Sequence, residues 1–358
     1  MQQSSDDTTL CELDHYGYIA VVGEDAVAFL QGQLTADVRQ LLEPVSVLAG
    51  YCNAQGRLLA CMRLFYSSER YVLRLPRELV TPVLRRLQLF VLRSKVTLSD
   101  ISDQQHGLGL CGADSPALLA QQFTEWPADS GQLTRTPEYC IVRVPGESPR
   151  FELYGSSSAL HTLQERLRPA VSVVDSTVWR HADILAGLPE IYQATQDRFI
   201  PQMLNLDLLG GIAFDKGCYV GQEIVARTHY LGRLKRRMAR LYSEQAPLLE
   251  VSDLLSIVGD TDGQAAVQVV QVAAVPAGGV ELLVVLPINS LSAESLNLQH
   301  DAHRFSAKIL PLPYSVPPVR DDSAPASHVQ TQTITIDGQD SQSGENGLPN
   351  GGGDKKPG

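Results

Sequence analysis

Lys216-Gly-Cys-Tyr-Val-Gly-Gln-Glu223 is the stretch of this chain that decides its fold. It combines a cation, a thiol, a phenol, an amide and a carboxylate with two glycines, a mixture that no amphipathic helix or strand requires. Gly217 and Gly221 permit tight turns or a positive φ. Residues 222–227 then have the pattern of the start of a helix. We therefore predict a glycine-containing loop that leads into a helix N-terminus.

Cys218 would lie just before that helix. The positive end of the helix dipole and the ammonium group of Lys216 would both favour its thiolate form. A free cysteine beside a glycine is more often a small buried apolar residue. The polar neighbours in this run favour a functional thiol instead.

The same run resembles the signature of the YgfZ family. These folate-binding proteins are linked to tRNA modification and are related to the aminomethyltransferase (T-protein) of the glycine cleavage system. The resemblance continues upstream through Phe199–Asp207 and Gly210–Phe214, and downstream through Val225–Arg227, Gly232 and Lys235-Arg236.

Two shorter matches, Gln31–Val38 and Pro311–Ser315, extend the resemblance over most of residues 10–315. It implies an α+β protein with the aminomethyltransferase-like fold and a small C-terminal β-barrel. The expected organisation is a flexible lead-in (1–9), a folate-binding α+β region of two intertwined subdomains (10–232), the barrel (233–316) and a disordered tail (317–358).

Local patterns agree with the α+β class. Residues 45–52 and 57–65 indicate a β-hairpin around the turn 53–56, and residues 78–90 carry the apolar stripe of a helix. Residues 126–150 contain proline and serine, which predicts that they include a long loop. Four barrel strands are predicted, at 237–242, 267–274, 279–286 and 305–310.

The composition of the chain argues against several classes of function. A chain of 358 residues that is 44% hydrophobic can bury a large core, and its net charge of -11 argues against non-specific coating of nucleic acid. Its apolar runs are too short to predict a membrane span. The six cysteines include no C-x-x-C pair, which predicts reduced thiols in a cytoplasmic protein and no metal site.

The resemblance implies that the cofactor is tetrahydrofolate or another reduced folate. Trp179 matches a tryptophan that is associated with folate binding in the family, and an indole face can stack on a pterin. The second such tryptophan falls at Tyr16, which offers a smaller face. Leu185 stands where related sequences carry a glutamate, so polar recognition of the pterin would pass to Asp183 or Glu190.

The acid that an aminomethyltransferase needs near the folate nitrogen is absent at the matching positions, Ala60 and Cys61. The resemblance instead implies a folate-binding accessory protein that supports iron-sulfur enzymes, including tRNA-thiolating ones. Cys218 would contact a cluster, a persulfide or a folate adduct. The roles expected of its neighbours are to favour the thiolate (Lys216), to shape the pocket rim (Tyr219, Gln222) and to hold Lys216 or Arg227 in place (Glu223).

Two alternatives stay open. The first is a folate-dependent one-carbon transferase of the aminomethyltransferase type that uses Cys218 in place of the missing acid. The second is a tRNA-binding module that uses the basic stretch 227–240, in which Arg227 would bind an anion such as a folate glutamate tail, a phosphate or RNA. The expected partners are therefore a reduced folate, iron-sulfur enzymes or cluster-assembly proteins and, only indirectly or weakly, tRNA. The cations of the basic stretch are Arg227, Arg233, Lys235, Arg236, Arg237 and Arg240.

Overall fold

The computed structural model describes residues 7–232, 234–259, 266–275 and 277–317, which form two β-sheets, a closed β-barrel and six α-helices. The predicted α+β class and the predicted C-terminal barrel are confirmed. Residues 1–6 of the expected lead-in and 318–358 of the expected tail lie outside the described residues. Within those ranges, no helix combines the length and the apolar character that crossing a membrane requires.

The two sheets are built from eleven strands. In chain order these are β1 (Thr9–Glu12), β2 (Tyr16–Val22), β3 (Val47–Cys52), β4 (Leu58–Ser67), β5 (Arg70–Pro76), β6 (Thr97–Asp100), β7 (His106–Cys111), β8 (Leu133–Arg135), β9 (Tyr139–Val144), β10 (Arg150–Gly155) and β11 (Ser172–Val173). The helices are α1 (Ala26–Gln33), α2 (Val80–Gln88), α3 (Ser115–Gln122), α4 (Ser157–Leu167), α5 (Ser176–Leu185) and α6 (Gln222–Tyr230).

One sheet has the strand order β11-β1-β7-β10-β9-β8, in which the pair of β1 and β11 is parallel and the other pairs are antiparallel. The other has the order β3-β4-β5-β2-β6 and is antiparallel throughout. β1 belongs to the first sheet, whereas β2, one short turn later, belongs to the second. The chain therefore enters both sheets within its first described residues.

Alternation along the strands builds the core between the sheets. In β2, Tyr18 and Ala20 join Phe65 of β4 and Tyr154 of β10 in one buried cluster, while Ile19 points to the opposite face with α1 and α2. The outer face of the six-stranded sheet is covered by α3 and α4. Each sheet is thus buried on both faces, and polar side chains in the inner layer need partners there.

The barrel strands are β12 (Arg236–Ser243), β13 (Leu254–Ile257), β14 (Ala266–Ala274), β15 (Val280–Pro287), β16 (Ser295–His300) and β17 (His303–Leu310). They close in the order β12-β15-β14-β13-β16-β17. One face of the strands fills the barrel interior. On the other face, Met238, Leu283 and Val285 join the core beneath the five-stranded sheet.

Several local predictions differ from the structure. The long loop expected within residues 126–150 does not take up that whole range, because β8 and β9 also lie there and Ile141 and Val142 of β9 are fully buried on opposite faces. The barrel has two strands, β13 and β16, that the sequence did not indicate. Both are short and have exposed residues alternating with buried ones. β1 begins at Thr9, inside the expected lead-in.

Candidate functional site: a thiol loop and a buried aromatic cluster

The run from Lys216 to Glu223 forms a loop that ends at α6, as predicted. α6 begins at Gln222, and Gly221 before it has φ +82, which favours glycine. Val225 in the first turn is fully buried, and its carbonyl accepts a hydrogen bond of 2.7 Å from Gln202 Nε2. The start of the helix is therefore fixed to the core.

The loop rests on the predicted hairpin turn at residues 53–56. Asn53 shapes that turn, because its Oδ1 accepts hydrogen bonds from the backbone N–H groups of Gln55 (2.9 Å) and Arg57 (3.0 Å). A Cβ on Gly221 would lie 2.4 Å from the carbonyl oxygen of Asn53 and 2.9 Å from the Cα of Gly56. Only a glycine lets the two backbones approach this closely.

Lys216 anchors the other end of the loop. It is buried, and its Nζ donates hydrogen bonds of 2.7 Å to the carbonyl oxygens of Leu34 and of Ala36. The ammonium lies 5.2 Å from the ring centre of Tyr219, itself buried. Burial lowers the pKa of Lys216 to about 8, although Asp37 opposes the shift. The predicted role of Lys216 toward the thiol stays a prediction, since its described contacts are with backbone carbonyls.

A first prediction concerns this anchor. Lys216→Met should lower the free energy of unfolding by about 2 kcal/mol, because two buried carbonyls lose a charged donor while the cost of burying the ammonium disappears. Lys308→Met, at an exposed lysine on β17, should change it by less than about 0.5 kcal/mol. Urea denaturation measures both. Equal midpoints for the two variants would contradict the anchoring role.

Cys218 stands between these two anchors and is exposed. Of the chain's six cysteines, all described and all free, four are buried and Cys111 is half-buried. Gln222 is half-buried, whereas Glu223 and Arg227 are exposed. Within the described residues, Glu223 forms no ion pair with Lys216 or Arg227. The loop therefore presents one accessible thiol.

The structure brings Tyr16, Trp179 and Asp183 together in a second place. Asp175 caps α5 by accepting a hydrogen bond of 2.8 Å from the Thr177 N–H, and Gly187 (φ +63) follows the end of the helix. Inside this helix, Asp183 accepts a hydrogen bond of 3.2 Å from the Tyr16 hydroxyl. The sequence did not show that these residues are almost fully buried.

Two arginines cover the aromatic faces. Arg150 lies 4.1 Å from the ring centre of Trp179 and donates a 2.7 Å hydrogen bond to Asp183 Oδ1. Arg74 lies 3.7 Å from the ring centre of Tyr16. Close packing against Gly109 also confines the Trp179 ring, since a Cβ there would lie 2.4 Å from Cε3. Each guanidinium contributes a cation–π contact.

The arginines continue into a buried ionic network. Arg74 contacts Glu190 at 3.1 Å and Glu152 at 3.8 Å, and Arg63 contacts Glu152 at 3.3 Å. Burial pushes the pKa of Glu152 upward, but Arg74 and Arg63 outweigh it and hold that pKa below its usual value. We name the buried group of Tyr16, Arg74, Arg150, Trp179, Asp183 and Glu190 the aromatic–arginine cluster. The sequence reasoning missed this network. The available signal was a charged residue within an apolar strand, such as Arg74 in β5.

Glu190 gives a second prediction. Burial raises its pKa to about 7 from 4.5 despite Arg74, so the folded protein holds more protons than the unfolded chain between these values. The stabilisation due to this group is complete below about pH 4.5 and lost as the pH rises through about 7. Relative to Glu190→Gln, the wild type should lose about 1–3 kcal/mol over this range. Parallel stability–pH curves for the two proteins would contradict it.

Several polar atoms of this region have no partner. Both ring nitrogens of His15, Nε1 of Trp179 and the hydroxyl of Tyr18 are buried without a hydrogen bond in the described structure. Burial lowers the pKa of His15 to about 4, so the ring is neutral at pH 7. Orphaned donors and acceptors beside aromatic rings fit a flat, polar heterocycle such as a pterin. Such a ring would have to displace a guanidinium to stack on Trp179 or Tyr16.

Three arginines of the basic stretch bind partners within the protein. Arg237 forms a bidentate pair with Asp207 (2.9 and 2.7 Å), and Arg240 forms one with Glu281 (3.1 and 3.2 Å). Arg236 donates to the carbonyl oxygens of Ala266 and Val285. Arg233 lies outside the described residues. The stretch therefore does not form a continuous cationic face on β12.

A polar cleft of about 490 Å³ opens elsewhere, at the end of the sheets where the β4–β5 turn meets the N-terminus of α4. Its lining contains none of the predicted site residues. The matching positions for the missing acid, Ala60 and Cys61, are buried in β4, and burial raises the pKa of Cys61 well above its usual value.

Comparison of the sequence with those of known proteins places the chain in a family. No family model matches the chain. The tRNA-modifying protein YgfZ of Escherichia coli (strain SMS-3-5 / SECEC) is 32% identical over 309 residues, which cover 86% of this chain and 94% of that protein. The chain belongs to the YgfZ family. The tRNA-modifying protein YgfZ of Colwellia psychrerythraea is also 32% identical, over 249 residues that cover 70% of this chain and 76% of the relative.

Comparison with solved structures concerns the fold. The glycine cleavage system aminomethyltransferase T from Bartonella henselae superposes with a TM-score of 0.72, covers 88% of each chain and is 17% identical. The predicted aminomethyltransferase-like fold is thereby confirmed. At this identity the likeness concerns the fold alone.

Proposed function

We propose that this YgfZ-family chain is a folate-binding accessory protein that supports iron-sulfur enzymes, including enzymes that thiolate tRNA. The observation that carries the proposal is the accessible Cys218 on a loop anchored by Lys216 and Gly221. A thiol held in this way can present sulfur to a protein partner without a change in the core. The link to tRNA modification rests on the relatives' names.

Reduced folate is the proposed cofactor, as tetrahydrofolate or a derivative. Trp179, Tyr16 and Asp183 would hold the pterin, with His15 among the polar partners, because this region combines aromatic faces with orphaned donors and acceptors. Folate would supply one-carbon chemistry or serve as a regulatory ligand. The free thiols of the six cysteines suit a cytoplasmic setting.

The transferase alternative has a weaker basis than the accessory role. The fold is that of an aminomethyltransferase, but β4 offers Ala60 and Cys61 where the acid is expected. Turnover of a methylene- or formyl-folate by the pure protein, lost in Cys218→Ser, would favour it over the accessory role.

A complementation experiment tests the accessory role. The gene would be expressed in Escherichia coli cells that lack their own YgfZ, and thiolated nucleosides in tRNA would be measured by mass spectrometry. We expect the wild type and Asp215→Asn, a control at an exposed residue of the same segment, to restore them, and Cys218→Ala to fail. Full restoration by Cys218→Ala, at equal protein levels, would refute the role of the thiol.

A further inference from the structure

Three aromatic rings meet on the surface beside the thiol loop. Phe214 and His229 are stacked, with ring centres 3.7 Å apart and planes 19° from parallel. Tyr230 meets both rings edge-on, at 6.1 and 4.8 Å. We name these three residues the aromatic platform. Phe214 lies just before Lys216 in the chain, and the other two end α6.

Tyr230 is the solvent-exposed part of the platform. Its side chain is 61% exposed, and the next residue, Leu231, is 85% exposed. A large aromatic side chain at a helix end would ordinarily bury its ring. Tyr230 packs edge-on against Phe214 and His229 and still exposes most of its side chain to solvent. This arrangement offers a stacking surface to another flat ring.

Two exposed cations lie close to the platform in the sequence. Arg227, one helical turn before Tyr230, and Lys235 are both exposed, and neither has an ion pair within the described part of the chain. They differ in this from Arg237 and Arg240 of the same stretch, which are paired internally. In a chain of net charge -11, an exposed aromatic ring with unpaired cations close to it in the sequence offers a local site for an anion that carries flat rings.

We infer that the aromatic platform binds an unpaired base of single-stranded RNA, with Arg227 and Lys235 on the adjacent phosphates. Proteins bind single strands by stacking bases on aromatic side chains and by tracking the backbone with cations. A duplex would not fit, because its bases are already stacked. This inference does not depend on folate binding, which concerns the buried aromatic–arginine cluster.

Fluorescence anisotropy with a labelled ten-nucleotide oligoadenylate RNA and the full chain tests the inference. We expect saturable binding that falls about sevenfold for a fourfold rise in salt, as two phosphate contacts would give at a slope of about 0.7 each. Tyr230→Ala should weaken binding at least about fivefold, whereas Tyr230→Phe keeps the ring and the affinity. Arg227→Gln should reduce the salt dependence.

Arg93→Gln, at an exposed arginine elsewhere, is the matched control and should bind as the wild type does. Three results would overturn the inference. These are no saturable binding, equal affinity of Tyr230→Ala and the wild type, and equal affinity for the single strand and a duplex of the same length. Circular dichroism of each variant establishes that it is folded. Because Tyr230 is largely exposed, we expect its substitution to leave the core intact.

Discussion

Arg150→Met is expected to lower the free energy of unfolding by about 3–5 kcal/mol, the largest effect of any single change considered. The substitution leaves Asp183 buried with an uncompensated charge, since the Arg150 guanidinium is its partner at 2.7 Å. It also removes the donor to the carbonyl oxygens of Pro145 and Ala182. Domains have a total stability of only about 5–15 kcal/mol, so we expect a measurable fraction of the variant to be unfolded at 37 °C.

A second variant keeps this prediction testable if Arg150→Met does not fold. The double variant Arg150→Met/Asp183→Leu removes both charges, and we expect it to recover a substantial part of the lost stability. Arg168→Met is the matched control, because Arg168 is exposed and pairs with Glu165 on the surface. Its effect should stay below about 1 kcal/mol. If Arg150→Met were no more harmful than Arg168→Met, the buried ion pair would not contribute to stability as predicted.

Gly221→Ala is expected to destabilise the protein by about 2–4 kcal/mol and to release the thiol loop. Part of this cost arises because alanine would have to adopt φ +82. The rest arises because its Cβ would lie 2.4 Å from the backbone oxygen of Asn53, which cannot rotate away as a side chain can. Chemical denaturation measures the loss, and limited proteolysis shows whether it is local to residues 216–223.

Gly217→Ala is the matched control for Gly221→Ala. Gly217 lies in the same loop and is exposed, and a Cβ on it would meet no atom within 4 Å. We expect its stability to lie within about 0.5 kcal/mol of the wild type. Equal losses for the two glycine variants would show that the hairpin turn does not support the loop.

The sequence predicted features that depend on local chemistry. The turn at residues 53–56 follows from Asn53 and Gly56, and the start of α6 follows from Gly221 and the residues after it. Residues 126–150 were expected to include a long loop, and the short apolar run of β9 within them was not recognised as a strand. Local composition thus predicted the turns correctly but did not reveal a buried strand.

The two candidate sites also differ in how far the sequence could predict them. The thiol loop is contiguous in sequence, so its residues could be named in advance, but its support by Leu34 and Asn53 depends on long-range contacts. The aromatic–arginine cluster joins residues from β2, β5, β10, α5 and the segment that follows α5. No spacing rule connects Tyr16 to Asp183, which are 167 residues apart. Their burial, and the arginines that cover the aromatic rings, became evident only in the fold.

The most direct test of the proposed function is a binding titration of the full chain with 5-formyltetrahydrofolate by equilibrium dialysis. Trp126→Phe serves as the background, so that the fluorescence of Trp179, the only tryptophan left, can be followed in parallel. We predict saturable binding at micromolar ligand and a change in Trp179 emission as the Arg150 guanidinium is displaced. Trp179→Phe should weaken binding at least about fivefold. A folded protein that binds no reduced folate would contradict the account.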